Sequence, residues 1–119
     1  MRLLSVVCLV LFTSGCASGL YDWGGYNQDL YEYYSDPSSA TYFTQSLQAH
    51  INKLESSGIK PAPGLYAELG TLYLQAGDQM RALEFYSKER DAWPESVHMM
   101  NALIANLNHV NPDKSAPKE

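Results

Sequence analysis

The scarcity of cysteine and histidine leaves this chain little material for cross-links or metal sites. It has 119 residues, of which two are cysteines and three are histidines. His50, His98 and His109 have no cysteine or carboxylate cluster at ligand spacing, so we predict no metal and no cofactor. Nucleophile-elbow, phosphate-loop and zinc-protease motifs are also absent from the sequence. We therefore expect a protein that is not an enzyme.

Positive charge is scarce as well. Eight Lys and Arg stand against 13 Asp and Glu, which gives a formal net charge of -5 at pH 7. Nucleic acids and anionic lipids both attract basic surfaces, and this sequence has no basic stripe. We predict no nucleic-acid partner. The length suits one domain with a modest core.

The sequence has no apolar run of the roughly 20 residues that a membrane-spanning helix needs. The apolar residues 3–12 follow Arg2 and lead into the small residues of TSGC at 13–16. This is the layout of a secretory signal peptide, and its end before a cysteine resembles a bacterial lipoprotein signal. The resemblance implies that residues 1–15 are removed and that Cys16 is lipidated. An ordinary signal peptide and a core helix are the alternatives.

A lipoprotein signal implies a cellular location. Acyl chains such as palmitate on Cys16 would hold the protein on a membrane, because two or more chains anchor stably. Residues 16–19 would then be a lipidated linker. In proteins with such signals an aspartate after the cysteine favours the inner membrane, whereas this chain has Ala17. We therefore expect the periplasmic face of the outer membrane. Cys8 would be cleaved away, leaving no disulfide.

Residues 63–96 match one tetratricopeptide repeat, a helix-turn-helix unit of about 34 residues. Small side chains at Gly70 and Ala82 would let its two helices approach closely. The other signature positions are filled by Tyr66, Leu69, Tyr73, Tyr86 and Pro94. Glu89 departs from the pattern, which usually has alanine there. A unit of this kind binds other proteins and rarely catalyses.

Residues 21–34 contain six aromatic side chains: Tyr21, Trp23, Tyr26, Tyr31, Tyr33 and Tyr34. Gly24 and Gly25 divide this segment into a loop and a short helix, which Asp36-Pro37 should end. We favour a role in the core, since tyrosine buries a large area and keeps a polar tip. A protein-binding site and a platform for stacking sugar rings are the alternatives. Trp23 and Tyr26, beside the glycines, are expected to be the exposed members.

Two further helices are predicted from apolar residues at helical spacing. One covers residues 40–57 and the other residues 96–108. Their apolar positions are Phe43, Leu47, Ile51, Leu54, Val97, Met100, Leu103, Ile104 and Leu107. Within the repeat, Gly77 should end the first helix and Asp78 should cap the second.

The predicted fold class is all-α. It consists of tetratricopeptide-like helical hairpins, with about five helices over residues 20–110, behind the cleaved lipoprotein signal. Residues 111–119 are polar and are predicted to be a disordered tail.

A single repeat lacks the three or more units that bury a solenoid core, so it leaves a face for a partner. The polar candidates on the concave side of its first helix are Glu68, Thr71 and Gln75. The loop of Trp23 and Tyr26 would be a second contact. Alternatively, the first hairpin covers that face.

Four segments carry a family resemblance: LYDWGGY at 20–26, YSDP at 34–37, PGLYAELG at 63–70 and WPES at 93–96. Behind a lipoprotein signal, they resemble a family of small bacterial envelope lipoproteins that is catalogued as a domain of unknown function. The resemblance covers nearly all of the chain after Cys16. It implies an envelope complex with a lipoprotein related to the curli secretion channel, and no catalytic residue beyond the lipidated cysteine.

These observations predict a non-enzymatic, lipid-anchored adaptor or scaffold subunit of an outer-membrane or periplasmic complex. Its expected partners are the membrane, one or more envelope proteins and a second copy of itself. The repeat is also similar to those of pilotins and of peptidoglycan-synthase activators, at the level of fold only. The alternative is therefore a lipoprotein that binds cell-wall glycan or activates a peptidoglycan synthase.

Overall fold

The computed structural model describes residues 19–110. This part of the chain forms five α-helices and no strand, which confirms the all-α prediction. The helices are α1 (Tyr26–Ser35), α2 (Ala40–Ser56), α3 (Leu65–Gln75), α4 (Gln79–Ala92) and α5 (Val97–Val110). Short 3-10 turns at Pro37–Ser39 and Pro94–Ser96 lead into α2 and α5. The signal peptide, Cys16 and the tail of residues 111–119 lie outside the described residues.

Helix α1 ends where proline forces a turn. The carboxylate of Asp36 accepts a hydrogen bond from the Ser38 backbone N–H at 3.0 Å. The Ser39 hydroxyl donates to the Asp36 carbonyl at 2.8 Å. These bonds satisfy polar groups that the helix end would otherwise leave open, so the chain reverses at once and α2 returns along α1.

The main core lies between the first hairpin, formed by α1 and α2, and the second hairpin, formed by α3 and α4. The apolar stripe predicted for α2 is buried, and so are the facing residues of α3: Phe43, Leu47, Ile51, Leu54, Leu65, Leu69 and Leu72. Phe85 adds the contribution of α4 to this cluster. A second cluster joins α4 to α5 through Ala82, Tyr86 and Met100, and the half-buried Leu103, Ile104 and Leu107 pack on it. Each helix thus packs on the next along the chain.

The second hairpin is tight at Gly70, as predicted. A Cβ atom at Gly70 would lie 2.8 Å from Cδ1 of Tyr86 and 3.2 Å from the Ala82 carbonyl oxygen. Such distances are too short for ordinary contact, so only glycine lets α3 approach α4 this closely.

The turn between α3 and α4 also follows the prediction. Gly77 has φ +83°, a conformation that glycine adopts without strain. The Asp78 side chain caps α4 by accepting a hydrogen bond from the Arg81 backbone N–H at 3.0 Å. Both ends of the turn are therefore fixed by local residues.

Candidate functional site

The aromatic segment divides into a buried part and an exposed part. Three rings pack partly buried against the main core: Tyr21, Tyr26 and Tyr33. Three others are exposed, with exposed fractions of 37% for Trp23, 71% for Tyr31 and 75% for Tyr34. The core interpretation is thus confirmed for the first three. The expectation that Tyr26 is one of the exposed rings is wrong, because its ring lies 5.9 Å from that of Phe43.

The loop before α1 is held by a histidine that the sequence analysis left without a role. His50 Nε2, on α2, is 2.9 Å from the Asp22 carbonyl oxygen. Gly24 has φ +54°, and a Cβ atom there would be 2.7 Å from His50 Nδ1. A larger residue at 24 would therefore push the loop away. This contact positions Trp23, whose ring centroid is 5.8 Å from that of Tyr26.

Helix α1 packs on α2 and is hydrogen-bonded to α3. The Tyr33 hydroxyl donates a hydrogen bond to Gln75 Oε1 on α3 at 3.0 Å. The Ser46 hydroxyl of α2 donates to the Asp29 carboxylate of α1. Gln75, one of the three predicted groove residues, is therefore occupied by the first hairpin. Gln75 itself stays exposed, so the alternative that this hairpin covers the face stays a prediction.

Thr71, the second predicted groove residue, belongs to the seam inside the repeat. Its hydroxyl donates to the Ala67 carbonyl at 3.0 Å and lies 3.0 Å from the Tyr86 hydroxyl. Tyr86 is almost fully buried between α3 and α5. Thr71 is half-buried and is hydrogen-bonded on both sides, which leaves it little capacity for a ligand.

Glu68, the third predicted groove residue, has a half-buried side chain beside α1. Burial raises the pKa of its carboxyl group. The pKa of Tyr26 is also raised, first by burial and then by the charges of Glu68 and Tyr34. Glu68, Tyr26 and Tyr34 are therefore electrostatic neighbours across α1 and α3.

We call the surface formed by Trp23, Tyr26, Tyr31, Tyr34 and Glu68 the α1–α3 face. Tyr31 belongs to it because residues three apart on a helix are neighbours. The Trp23 ring joins it through its contact with Tyr26. Trp23, Tyr26 and Glu68 were predicted as binding residues from the sequence, whereas the exposure of Tyr31 and Tyr34 was not predicted. Helical spacing could have shown that these two lie away from the stripe of Tyr26, Leu30 and Tyr33.

The segment that supplies the aromatic rings of this face carries only acidic charges. Residues 19–52 contain four acidic residues and no Lys or Arg: the acids are Asp22, Asp29, Glu32 and Asp36. Several cations elsewhere have local partners. Lys88 Nζ is 3.1 Å from Glu55 Oε1, and Arg81 Nε is 3.1 Å from Asp78 Oδ2. The α1–α3 face thus combines exposed aromatic rings with an acidic segment of the chain.

A separate open cavity of about 440 Å³ lies between α2, α3 and α4. Its lining includes hydroxyl and amide side chains and one aromatic ring: Thr41, Thr44, Gln45, Gln75 and Tyr73. Arg81 also lines it, and its guanidinium carbon is 4.8 Å from the centroid of the Tyr73 ring. Hydroxyls, amides and an aromatic edge are groups that suit a sugar.

Glu89, the residue that departs from the repeat pattern, is fully buried. Its Oε1 accepts hydrogen bonds from the Gly64 backbone N–H at 2.8 Å and from the Ser96 hydroxyl at 2.8 Å. The first of these groups lies at the N-terminus of α3, where a negative charge is favourable. Glu89 therefore joins the start of α3 to the turn before α5, a role that local sequence does not reveal.

No metal site is formed by the part of the chain that the structure describes, since three His, Cys, Asp or Glu side chains nowhere come together there. Among the helices of residues 19–110, none has the length and apolar character needed to cross a membrane.

The fold and the face define a class of protein: a small all-α domain of packed helical hairpins with an exposed aromatic surface. Residues 20–103 match the model of a family described as a domain of unknown function, DUF4810, and the chain belongs to this family. This match confirms the family-level part of the predicted resemblance. No curated protein and no solved structure matches the chain.

Proposed function

We propose that this protein is a non-enzymatic, lipid-anchored adaptor that docks an envelope protein through its α1–α3 face. The observation that carries the proposal is the exposure of Tyr31 and Tyr34 on α1 and of Trp23 in the loop before it, beside half-buried rings that pack on the main core. Tyrosine and tryptophan supply large contact areas at a low entropic cost, and they are enriched in the energetic centres of interfaces. A rigid support adds to this because the face needs little ordering on binding.

The proposed anchor would keep the face close to a membrane. Cys16 is seven positions before Trp23, and an extended chain spans at most about 3.5 Å per residue, so the face would lie within about 25 Å of the lipid. We place the protein at the periplasmic face of the outer membrane, because Ala17 follows the cysteine. The partner must then expose its own binding surface near that membrane.

The partner we propose is another envelope protein of the same assembly. The family resemblance favours a lipoprotein related to the curli secretion channel. A second copy of this chain is the other candidate, since the half-buried Leu103, Ile104 and Leu107 on α5 are not fully covered by the helices described.

The proposal is tested by cross-linking in intact cells, followed by affinity recovery of the lipidated protein. Trp23→Ala should weaken recovery of a specific envelope protein by about 2 kcal/mol, the loss typical of a central aromatic anchor. Met80→Ala is the matched control, because Met80 is 63% exposed at the start of α4, outside this face. Recovery of no envelope protein and no dimer, with Trp23→Ala changing only the melting temperature, would refute the adaptor.

The cavity between α2, α3 and α4 favours one second candidate, the binding of cell-wall glycan. Gln45 is exposed at its edge and can donate to sugar hydroxyls. Sedimentation with purified sacculi tests this candidate: the protein should co-sediment, and Gln45→Ala should release it. If the protein stays in solution, the glycan candidate fails and the adaptor is unaffected.

A further inference from the structure

We infer that the cavity between α2, α3 and α4 binds a cell-wall sugar that carries a free carboxylate, with the Arg81 guanidinium as the partner of that carboxylate. An N-acetylmuramic acid unit from which the peptide has been removed has this chemistry. This inference rests on the glycan candidate of the proposed function, and it adds the class of sugar that the cavity takes.

Three helices bring hydrogen-bonding side chains to this cavity. Its volume of about 440 Å³ lies within the range of roughly 300 to 1,000 Å³ that is usual for small-molecule sites. The Tyr33 hydroxyl donates to the amide oxygen of Gln75 at 3.0 Å, which leaves the Gln75 NH₂ group as a donor. Thr44 Oγ1 donates to the Ala40 carbonyl at 2.8 Å, and its lone pairs can accept a further hydrogen bond. Together with the exposed amide of Gln45, these groups match the hydroxyl and amide groups of a sugar.

The charge of the cavity favours an anion. Among the residues of 19–110 that line it, Arg81 carries the only formal charge, although the whole chain has a formal net charge of -5. Asp78 Oδ2 lies 3.1 Å from Arg81 Nε and offsets part of this positive charge. A guanidinium has five N–H donors, so it can bind a second carboxylate through its terminal nitrogens.

Arg81 is also held in position beside the cavity. Its guanidinium carbon is 4.8 Å from the centroid of the Tyr73 ring. That ring stacks on Phe85 of the main core, with the centroids 5.7 Å apart and the planes at 17°. The Tyr73 hydroxyl donates to Gln48 Oε1 on α2 at 3.0 Å. Because Tyr73 is fixed by both contacts, it gives the guanidinium a stable support, which lowers the entropic cost of binding.

The apolar part of the lining fits an acetylated sugar better than a peptide. It consists of Leu72, Ala40 and Ala76, on which the acetyl and lactyl methyl groups of N-acetylmuramic acid can pack. An extended acidic peptide binds best along a run of backbone groups such as a sheet edge. The polar groups of this cavity are instead side chains on three different helices, so they suit a compact ligand.

The test is a titration of the full chain in nonionic detergent micelles, followed by NMR. The probe is N-acetylmuramic acid, and its methyl ester is the uncharged control. We expect saturable shifts at residues 45, 75 and 81, with about tenfold tighter binding of the acid, because hydrogen bonds between charged groups are stronger than neutral ones. Arg81→Gln should remove this preference for the acid.

Arg90→Gln is the matched control variant and should keep the preference for the acid. Arg90 is on the same helix and also contacts an aspartate, with Nε 2.9 Å from Asp91 Oδ1, but it lies near the other end of α4 and does not line the cavity. In a second measurement, sacculi treated with an amidase, which frees the lactyl carboxylates, should retain more of the protein than untreated sacculi.

Three results would overturn the inference: equal affinity for the acid and its ester, a preference for the acid that Arg81→Gln leaves intact, or tighter binding of the peptide acid Nα-acetyl-alanine than of N-acetylmuramic acid. The melting temperature of Arg81→Gln verifies that the variant is folded, and the comparison of acid with ester uses the unaltered protein. If the protein co-sediments with sacculi but gives one of these results, the carboxylate partner is refuted and the glycan candidate stands. A protein that neither co-sediments nor responds to either probe refutes the glycan candidate itself.

Discussion

At the scale of single residues, Glu89 departs from the repeat pattern and connects the start of α3 to the turn before α5. The alanine that is usual at this position would fit between the helices. It could not accept the two hydrogen bonds that the Gly64 N–H and the Ser96 hydroxyl donate to Glu89 Oε1. The second carboxylate oxygen is buried and has no hydrogen-bond partner among residues 19–110. The side chain therefore contributes two charge-assisted hydrogen bonds and carries a desolvation cost.

We predict that Glu89→Ala, although it restores the repeat pattern, lowers the free energy of unfolding by about 2 kcal/mol. It removes the two hydrogen bonds that Glu89 accepts, from the Gly64 N–H and from the half-buried Ser96 hydroxyl. Thermal or urea unfolding measures the change. Glu84→Ala on the exposed side of the same helix is the control, with an expected effect within about 0.5 kcal/mol. An unchanged or higher melting temperature for Glu89→Ala would show that the two bonds do not stabilise the junction.

Glu68 should make the protein less stable as the pH rises. Burial beside Tyr26 raises the carboxyl pKa above its ordinary value of 4.5. The folded state then binds the carboxyl proton of Glu68 more strongly than the unfolded state does. The contribution of this proton to the free energy of unfolding is therefore complete below pH 4.5, and it is lost as the pH rises through the pKa of the folded state.

Glu68→Gln should therefore raise the melting temperature at pH 7 and have little effect at pH 4. The gain should be a fraction of a kcal/mol, because solvent screens a half-exposed group. Melting curves over this pH range test it. A loss of stability at pH 7 would mean that Glu68 has a stabilising partner.

At the scale of the elements, the α3–α4 hairpin depends on the close approach at Gly70. Gly70→Ala puts a methyl group against the Tyr86 ring and the Ala82 carbonyl. We expect a loss of about 1 to 3 kcal/mol, which outweighs the gain of about 1 kcal/mol in helix propensity. Gly70→Leu should cost more. Thermal melts measure both variants.

A second substitution tests whether overpacking is the cause of the stability loss expected for Gly70→Ala. Tyr86→Leu removes the ring that the new methyl group would meet, so Gly70→Ala should cost less in that background than in the unaltered protein. Additive effects of the two substitutions, or a more stable Gly70→Ala single variant, would contradict the close approach.

The elements themselves could be predicted because their signals are local. Apolar residues at helical spacing predicted α2 and α5. Gly77 and Asp78 predicted the turn before α4, and Gly70 with Ala82 predicted the close approach of α3 and α4. The candidate site could be predicted only in part. Tyr33 and Gln75 are 42 residues apart in sequence, and their contact depends on how α1 crosses α3. No local pattern encodes that crossing, and so neither the occupation of Gln75 nor the burial of Glu68 could be derived.

At the scale of the whole molecule, the proposed function combines an anchor with a face. The anchor is testable by itself. Cys16→Ala should release the protein from the membrane fraction and change its mass, because the acyl chains would no longer be attached. Cell fractionation and mass spectrometry measure both effects, and Cys8→Ala is the control that should retain anchoring. A Cys16→Ala protein that remains in the membrane with its mass otherwise unaltered would refute lipidation.

The central claim is that the α1–α3 face binds an envelope protein in the cell. The most direct measurement replaces Tyr31 with a photo-reactive amino acid in the lipidated protein, irradiates intact cells and identifies the cross-linked product. The same amino acid at Glu84, an exposed position on α4, is the control. We predict a discrete adduct with one envelope protein, or with a second copy of the chain, from position 31 and none from position 84. Adducts of equal yield from both positions, or an adduct from position 84 alone, would contradict the account.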